Sequence, residues 1–286
     1  MSRLQAVDAQ RHSMSTIVNL TSVFEGLASM RISQTKNQVL QSQQFFSELW
    51  QIYSQLRVDS LFRFGRGSAH KGDIINKQLY IVITAEGGFS GDIDQKLLKL
   101  MLQTYDPAKQ DIIVIGHHGA MQMVQNGISF KKYYTLPKRD KNINVEPLIA
   151  EVRRYRDTVV YYQTYVSLMF QDVKRIELTN AVAEQGKTVA GKVADEISED
   201  NYIFEPSAFD VVAHLERSMM QIALSQVILD SKLAQYASRF RAMSAANDKA
   251  DEWYGDLTMD YNRTKRREDD ERLKEIINGL RRTNTR

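Results

Sequence analysis

The stretch ITAEGGFSGDID, residues 83–94, follows the apolar run LYIVI at 79–83. Where an apolar strand opens into glycines and then a helix, free backbone N–H groups can hold a phosphate. Gly87, Gly88 and Gly91 are spaced G-G-x-x-G. The dinucleotide fingerprint needs G-x-G-x-x-G and an acidic residue about 20 positions on. The loop G-x-x-x-x-G-K-[ST] occurs nowhere in the chain. Glu86, Asp92 and Asp94 put negative charge where a phosphate would sit. These residues favour a tight strand-to-helix turn with Gly88 and Gly91 as turn formers. A nucleotide-dependent enzyme built on GGFSG is the alternative.

Two other groups carry reactive residue types. His117 and His118 follow a strand-like run in VIGHHGA. Adjacent side chains on a strand or helix point in different directions, so they make a poor chelating pair. His12, His70 and His214 are scattered, and no metal or other cofactor is expected. No local motif assembles a nucleophile with a base and an orienting acid. RTKRREDDERLK, 263–274, is a basic block followed by an acidic one. Glu268 with Arg272 and Asp270 with Lys274 are i,i+4 pairs in the favourable order. The block reads either as a solvated helix face or as a polar contact surface. The end, GLRRTNTR, carries Arg281, Arg282 and Arg286. The net charge of +3 is too small to imply a nucleic-acid partner, and none is expected.

The elements that position these groups follow from the breakers. Eleven of the fourteen glycines lie between 65 and 191, and proline occurs only at 107, 137, 147 and 206. Both ends are therefore free to form long helices. In the C-terminal part Val212, Leu215, Met219, Ile222, Gln226, Leu229, Leu233, Tyr236, Phe240, Met243, Asn247, Ala250, Tyr254, Leu257 and Tyr261 step by 3 and 4 throughout. A seven-residue repeat kept this long predicts a left-handed coiled coil. Pro206 and the N-cap Ser207 mark its start. Some 75 residues at about 1.5 Å each give a rod of roughly 110 Å. A globule of this chain length has a radius of gyration near 19 Å, so the rod is expected to protrude and to need a partner. The expected partner is the N-terminal helix, with stripes at Leu4, Val7, Met14, Ile17, Leu20, Phe24 and Leu27 and at Phe45, Leu49, Ile52 and Leu56.

The middle alternates. LYIVIT (79–84), DIIVIG (111–116) and TVVYYQTY (158–165) read as strands. The stretches 91–105, 118–127 and 146–158 read as helices, which predicts a mostly parallel sheet. KRIELTN (174–180) adds an antiparallel strand, and 184–200 reads as an exposed loop. The fold class is α/β: a long antiparallel coiled coil of the terminal helices plus a central Rossmann-like domain. The expected divisions are 1–62, 75–200 and 206–282. With 43% hydrophobic residues the chain can build a core; with no cysteine it uses neither disulfides nor thiolate metal sites. No uncharged apolar stretch of about 18 residues appears, and MSRLQAVDAQRHSM lacks an apolar signal core, so an intracellular location is expected.

Several of these stretches resemble the gamma subunit of rotary F-type ATP synthases. EPS at 205–207, SRFRAMSAANDKA at 238–250, DLTMDYNR at 256–263 and LKEIING at 273–279 resemble that family's C-terminal helix. TAEGGFSGDID resembles its T-S-D-R-G-L-C-G-G-L-N turn, with Gly88 and Gly91 in glycine positions. VIGHHG (114–119) and VYYQTYVSLMFQ (160–171) have counterparts in its central domain. The resemblance implies a non-catalytic central-stalk rotor that couples rotation to ATP synthesis or hydrolysis. It implies alpha and beta subunits of the catalytic ring, an epsilon-type small subunit and the membrane c-ring as partners. It also implies a place peripheral to an energy-transducing membrane, on its cytoplasmic or matrix side. By position in the motif, Lys265, Arg266 and Asp270 match polar residues that engage the ring. The central sheet of that family binds no nucleotide. The family's basic stretch I-T-K-A-M-K-M-V-A-A-S-K appears here as TSVFEGLASMR (21–31), with most lysines gone, and Gly87 and Ser90 replace its Arg and Cys. A paralogous rotor of a non-standard complex and a structural coiled-coil adaptor are the alternatives.

Overall fold

The structure, a computed structural model, describes residues 3–55, 75–137, 140, 143–178, 205 and 208–283. In chain order these form α1 (Arg3–Gln55), β1 (Ile75–Ile83), α2 (Ile93–Leu102), β2 (Gln110–Ile115), α3 (His117–Gln125), β3 (Lys132–Tyr134), α4 (Glu146–Val152), β4 (Tyr155–Tyr165), β5 (Gln171–Glu177) and α5 (Ala208–Thr283). The expected loop at 184–200, the cap at Ser207 and the final residues 284–286 lie outside the described residues. Among the described residues no helix is long and apolar enough to cross a membrane. The chain divides into two compact units. One holds residues up to Leu27 and those from Phe240 onward; the other is Ala28–Arg239.

The larger unit is organised by a five-stranded sheet of order β3-β2-β1-β4-β5. β1 pairs in parallel with β2 and β4, β2 pairs in parallel with β3, and β5 closes the sheet antiparallel to β4. A strand covered on both faces reads as a continuous apolar run. Leu79, Ile81, Ile83, Ile113, Ile115 and Val160 face one core, which α4 and Leu224, Val227 and Ile228 of α5 complete. Tyr80, Val82, Ile112, Val114, Val159 and Tyr161 face the other, under α2 and α3.

Several elements differ from expectation, β1 among them, which starts at Ile75 and not at Leu79. The helix expected over 146–158 stops at Val152 and β4 begins at Tyr155, because Tyr155 enters the ladder opposite Ile75 and the Ile75 N–H donates to the Arg154 carbonyl at 2.8 Å. β5 begins at Gln171, opposite Tyr165, three residues before the expected start at Lys174. The three-residue β3 was not expected at all; it is too short to show a period.

Within the larger unit α1 and α5 run antiparallel. Val39 packs on Leu229 and Leu233, and Phe46 packs on Met219 and Ala223. In the smaller unit Arg11 lies over the Tyr261 ring at 4.5 Å, and Thr21 donates to Asn247 Oδ1 at 2.8 Å, the same antiparallel sense. The α5 repeat faces this seam as expected, with Met243 and Ala250 buried. The α1 seam is a correction. It is made by Leu4, Val7, Arg11, Met14, Val18, Thr21 and Glu25 in one unit and by Ala28, Thr35, Val39 and Phe46 in the other. Of the expected stripes, Leu4, Val7 and Met14 do line the seam, Ile17, Leu20, Phe24, Leu27, Phe45 and Ile52 are exposed, and Leu56 lies outside the described residues. From Val18 onward the seam lies one residue further along than expected and includes Thr21 and Thr35, which find polar partners.

Candidate functional site

At the C-terminal ends of β1 and β2 the glycine turn meets α5. Gly91 has φ +65°, the left-handed region that favours glycine. Gly88 does not share it; Phe89, at φ +65° and exposed, does. Two successive α5 side chains hold the turn. Ser238 Oγ donates to the Ser90 carbonyl at 2.7 Å, and Arg239 Nε donates to the Gly88 carbonyl at 3.3 Å. The turn thus presents carbonyls to a cation, the reverse of a phosphate cradle. The nearby N–H groups are also taken. The buried Asp94 carboxylate accepts from Ala85 N–H at 3.3 Å. Glu86 accepts from His117 N–H at 3.2 Å and Leu136 N–H at 3.1 Å.

The two histidines part as their adjacency implies. His117 sets its ring edge against Tyr133, with centroids 6.4 Å apart. His118 Nδ1 donates to Asp94 Oδ2 at 2.6 Å. Among the described residues no group of three or more His, Asp or Glu could hold a metal ion. The bond to Asp94 raises the His118 pKa above its ordinary value, although burial opposes this. A raised folded-state pKa means that the protonated form is bound more tightly in the native chain. The stabilisation is complete below the unfolded value of about 6.5 and is lost as pH rises through the folded value. A series of denaturant midpoints from pH 5 to pH 9 is therefore expected to fall across that window in the native chain. The fall is expected to flatten in His118→Gln; an unchanged slope would remove the assignment.

Beyond the sheet, the polar block lies on α5. Lys265, Arg266 and Asp270 are all exposed. At about 100° per residue Arg266 and Asp270 lie on the side of α5 turned away from the seam residues Tyr261, Thr264 and Glu268, and Lys265 flanks the seam. The expected pairs Glu268–Arg272 and Asp270–Lys274 are not closed among the described residues, whereas Arg263 and Asp260 approach to 3.9 Å. Exposed pairs on a helix are weak and compete with full hydration, so open geometry is unremarkable. Arg11 opposite Tyr261 places Arg3 opposite about position 269, since the helices run antiparallel. From 269 to 280 every α5 residue is exposed, including Leu273, Ile276, Ile277 and Leu280. Sequence reading missed that exposed apolar face of α5 and the exposed stripe on α1. The signal for the first was present in the spacing of Leu273, Ile276, Ile277 and Leu280.

Each unit pairs α1 with α5, and the larger one adds a sheet whose glycine turn α5 clamps. The family model for ATP synthase matches residues 3–281. The chain belongs to this ATP synthase family. It is 22% identical over 291 residues to the ATP synthase gamma chain of Mycoplasmoides gallisepticum, covering 98% of this chain and 99% of that one. It is 21% identical over 300 residues to the ATP synthase gamma chain of Staphylococcus haemolyticus, covering 98% of each. A chain of the Euglena gracilis mitochondrial ATP synthase, solved with OSCP, F1 and c-ring in rotational state 3, shares the fold with TM-score 0.63 at 13% identity, covering 96% of this chain and 94% of that one. A chain of the Tetrahymena thermophila central stalk and c-ring shares it with TM-score 0.55 at 14% identity, covering 79% of this chain and 99% of that one.

Proposed function

We propose that the chain is the central-stalk rotor of a rotary ATP synthase, non-catalytic itself, coupling rotation to synthesis or hydrolysis in a ring of alpha and beta subunits. An epsilon-type subunit and the membrane c-ring are its other partners. It works peripheral to an energy-transducing membrane, on the cytoplasmic or matrix side. The single observation that carries this reading is the match of the ATP synthase family model across residues 3–281. The exposed apolar side chains Leu273, Ile276 and Ile277 of α5 suit an apolar sleeve supplied by other chains. The glycine turn supports the architectural reading, since Asp94 and Glu86 already take nearby N–H groups that a phosphate would use, and the turn's own carbonyls face Arg239.

The mechanism follows from asymmetry. A stalk with Lys265, Arg266 and Asp270 on one side of α5 presents different contacts to each surrounding subunit. Each subunit is then biased toward a different conformation, and rotation exchanges the biases. The triple variant Lys265→Gln, Arg266→Gln and Asp270→Asn is expected to leave the unfolding free energy within about 0.5 kcal/mol, as exposed substitutions do. Coupled turnover of the complex isolated through a tagged full-length chain is expected to fall. Undiminished coupling would reject the three residues as ring contacts; a tagged chain that brings down no nucleotide-binding ring would reject the rotor.

One observation favours a paralogous rotor with its own ring contacts. In the stretch 21–31, which resembles the family's lysine-bearing stretch, α1 has Val23, Phe24, Leu27 and Met30 exposed. The surrounding collar must match an apolar rather than a cationic stripe there.

A further inference from the structure

The part of α5 that crosses the head changes character along its length. From Met219 to Leu229 the buried positions are apolar. From Asp230 to Arg239 six polar side chains, Asp230, Ser231, Lys232, Gln235, Ser238 and Arg239, bond to the head, Ser231 and Gln235 at one shared oxygen and the others at separate points. Asp230 accepts from Thr164 Oγ1 at 2.9 Å and from Tyr165 N–H at 3.5 Å. Ser231 Oγ donates to Gln163 Oε1, and Gln235 Nε2 donates to the same oxygen at 3.2 Å. Lys232 Nζ donates to the Pro137 carbonyl at 2.8 Å. Ser238 and Arg239 take the glycine turn from the third side.

Gln163 is the centre of this arrangement. It is fully buried on β4, and its amide nitrogen donates to Asp94 Oδ1 at 2.7 Å. One side chain thus joins α5 to α2 and, through Asp94, to His118 of α3. Apolar contact is non-directional, so a helix can turn about its axis within an apolar groove at little cost. Hydrogen bonds weaken steeply off their axis, and buried groups left unpaired are penalised. A ring of buried polar bonds therefore acts as a keyed fit that resists turning of the helix in its socket.

We propose that Asp230–Arg239 is the torque-bearing joint between the long helix and the sheet domain, with Gln163 as its central positioning residue. This rests on the rotor reading and adds where the twist is carried. Twist in α5 enters the head through these polar bonds, while the stretch below, with the exposed Gln221–Glu146 bond beside its apolar contacts, supplies mainly adhesion.

The test uses the complex isolated through the tagged full-length chain and reconstituted in vesicles. Ser231→Ala, Gln163→Leu and Gln235→Leu are combined, which removes both partners of the Ser231–Gln163 and Gln235–Gln163 bonds, while Asp94 keeps the Ala85 N–H and His118 as donors. Ions transported per ATP hydrolysed are expected to fall roughly tenfold, as a loss of about 1.4 kcal/mol of grip implies. Copurification of the ring and the circular-dichroism spectrum are expected to be unchanged, and Ser231→Thr alone is expected to stay coupled. A folded, ring-bound triple variant with native coupling overturns the joint and leaves the rotor standing. Absence of a ring around the native chain overturns the rotor reading instead. If the triple variant does not fold, Ser231→Ala with Ser238→Ala, both small changes on a helix, is read in the same assay against the same two outcomes.

Discussion

Lys232→Met is expected to lower the unfolding free energy of the chain by about 3–5 kcal/mol, the effect of orphaning a buried charge. Lys232 sits on α5 with its side chain 4% exposed, paired with Asp140 at 9%. Asp140 also accepts from Thr35 Oγ1 of α1 at 2.7 Å. Three segments far apart in sequence therefore meet on one carboxylate. Methionine fills the lysine stem's volume but leaves the carboxylate with only the Thr35 hydroxyl. The double variant Lys232→Met and Asp140→Leu is expected to regain all but about 1 kcal/mol, because the desolvation of both charges is avoided. Thr35 can then donate to a carbonyl of its own helix. Urea midpoints of the three proteins, compared at constant m-value, measure this. A single variant within about 1 kcal/mol of native, the size of an exposed pair, would mean that water reaches the site.

Gly116→Ala is expected to be as damaging, at about 4 kcal/mol. Gly116 joins β2 to α3 at φ +103°, and a Cβ there would stand 2.1 Å from the Thr84 carbonyl oxygen. That oxygen cannot retreat, because Thr84 N–H is bound to the Ile115 carbonyl at 2.7 Å within the sheet. Backbone strain of about 1–3 kcal/mol adds to overpacking of about 1–3 kcal/mol. Gly88→Ala, in open space and without positive φ, is the contrast and is expected to stay within about 0.5 kcal/mol. Thermal unfolding followed by circular dichroism separates the two. Equal losses would show that the turn at Gly88, not the strand end at Gly116, limits the head.

The contrast shows how much of the molecule was legible in the residues. The long α5 repeat announced itself, because Leu229, Leu233, Met243 and Ala250 keep one face over many turns and that face is the one used. The sheet core was equally plain in LYIVI and DIIVI, where burial on both faces needs unbroken apolar runs. The α1 seam was legible only at its start, in Leu4, Val7 and Met14. Ile17, Leu20 and Phe24 look like a core stripe, yet Val18, Thr21 and Glu25 face α5. Thr21 and Thr35 are placed at the seam by Asn247 and Asp140, partners more than 100 residues away that no local period reveals. Gly116 and Gly119 matter through closeness to Thr84, again a tertiary fact. The polar bonds around Gln163 belong to the same kind: each residue alone reads as a surface side chain.

The sheet also ends in a way that bears on how this protein behaves before assembly. Among the described residues its margins are β3, only three residues long, and β5, which carries Asp172, Lys174, Arg175 and Glu177. A stub and a strand of alternating formal charge offer poor templates for another chain's backbone. Freshly made copies can accumulate while waiting for their companions without zipping together through stray β-pairing.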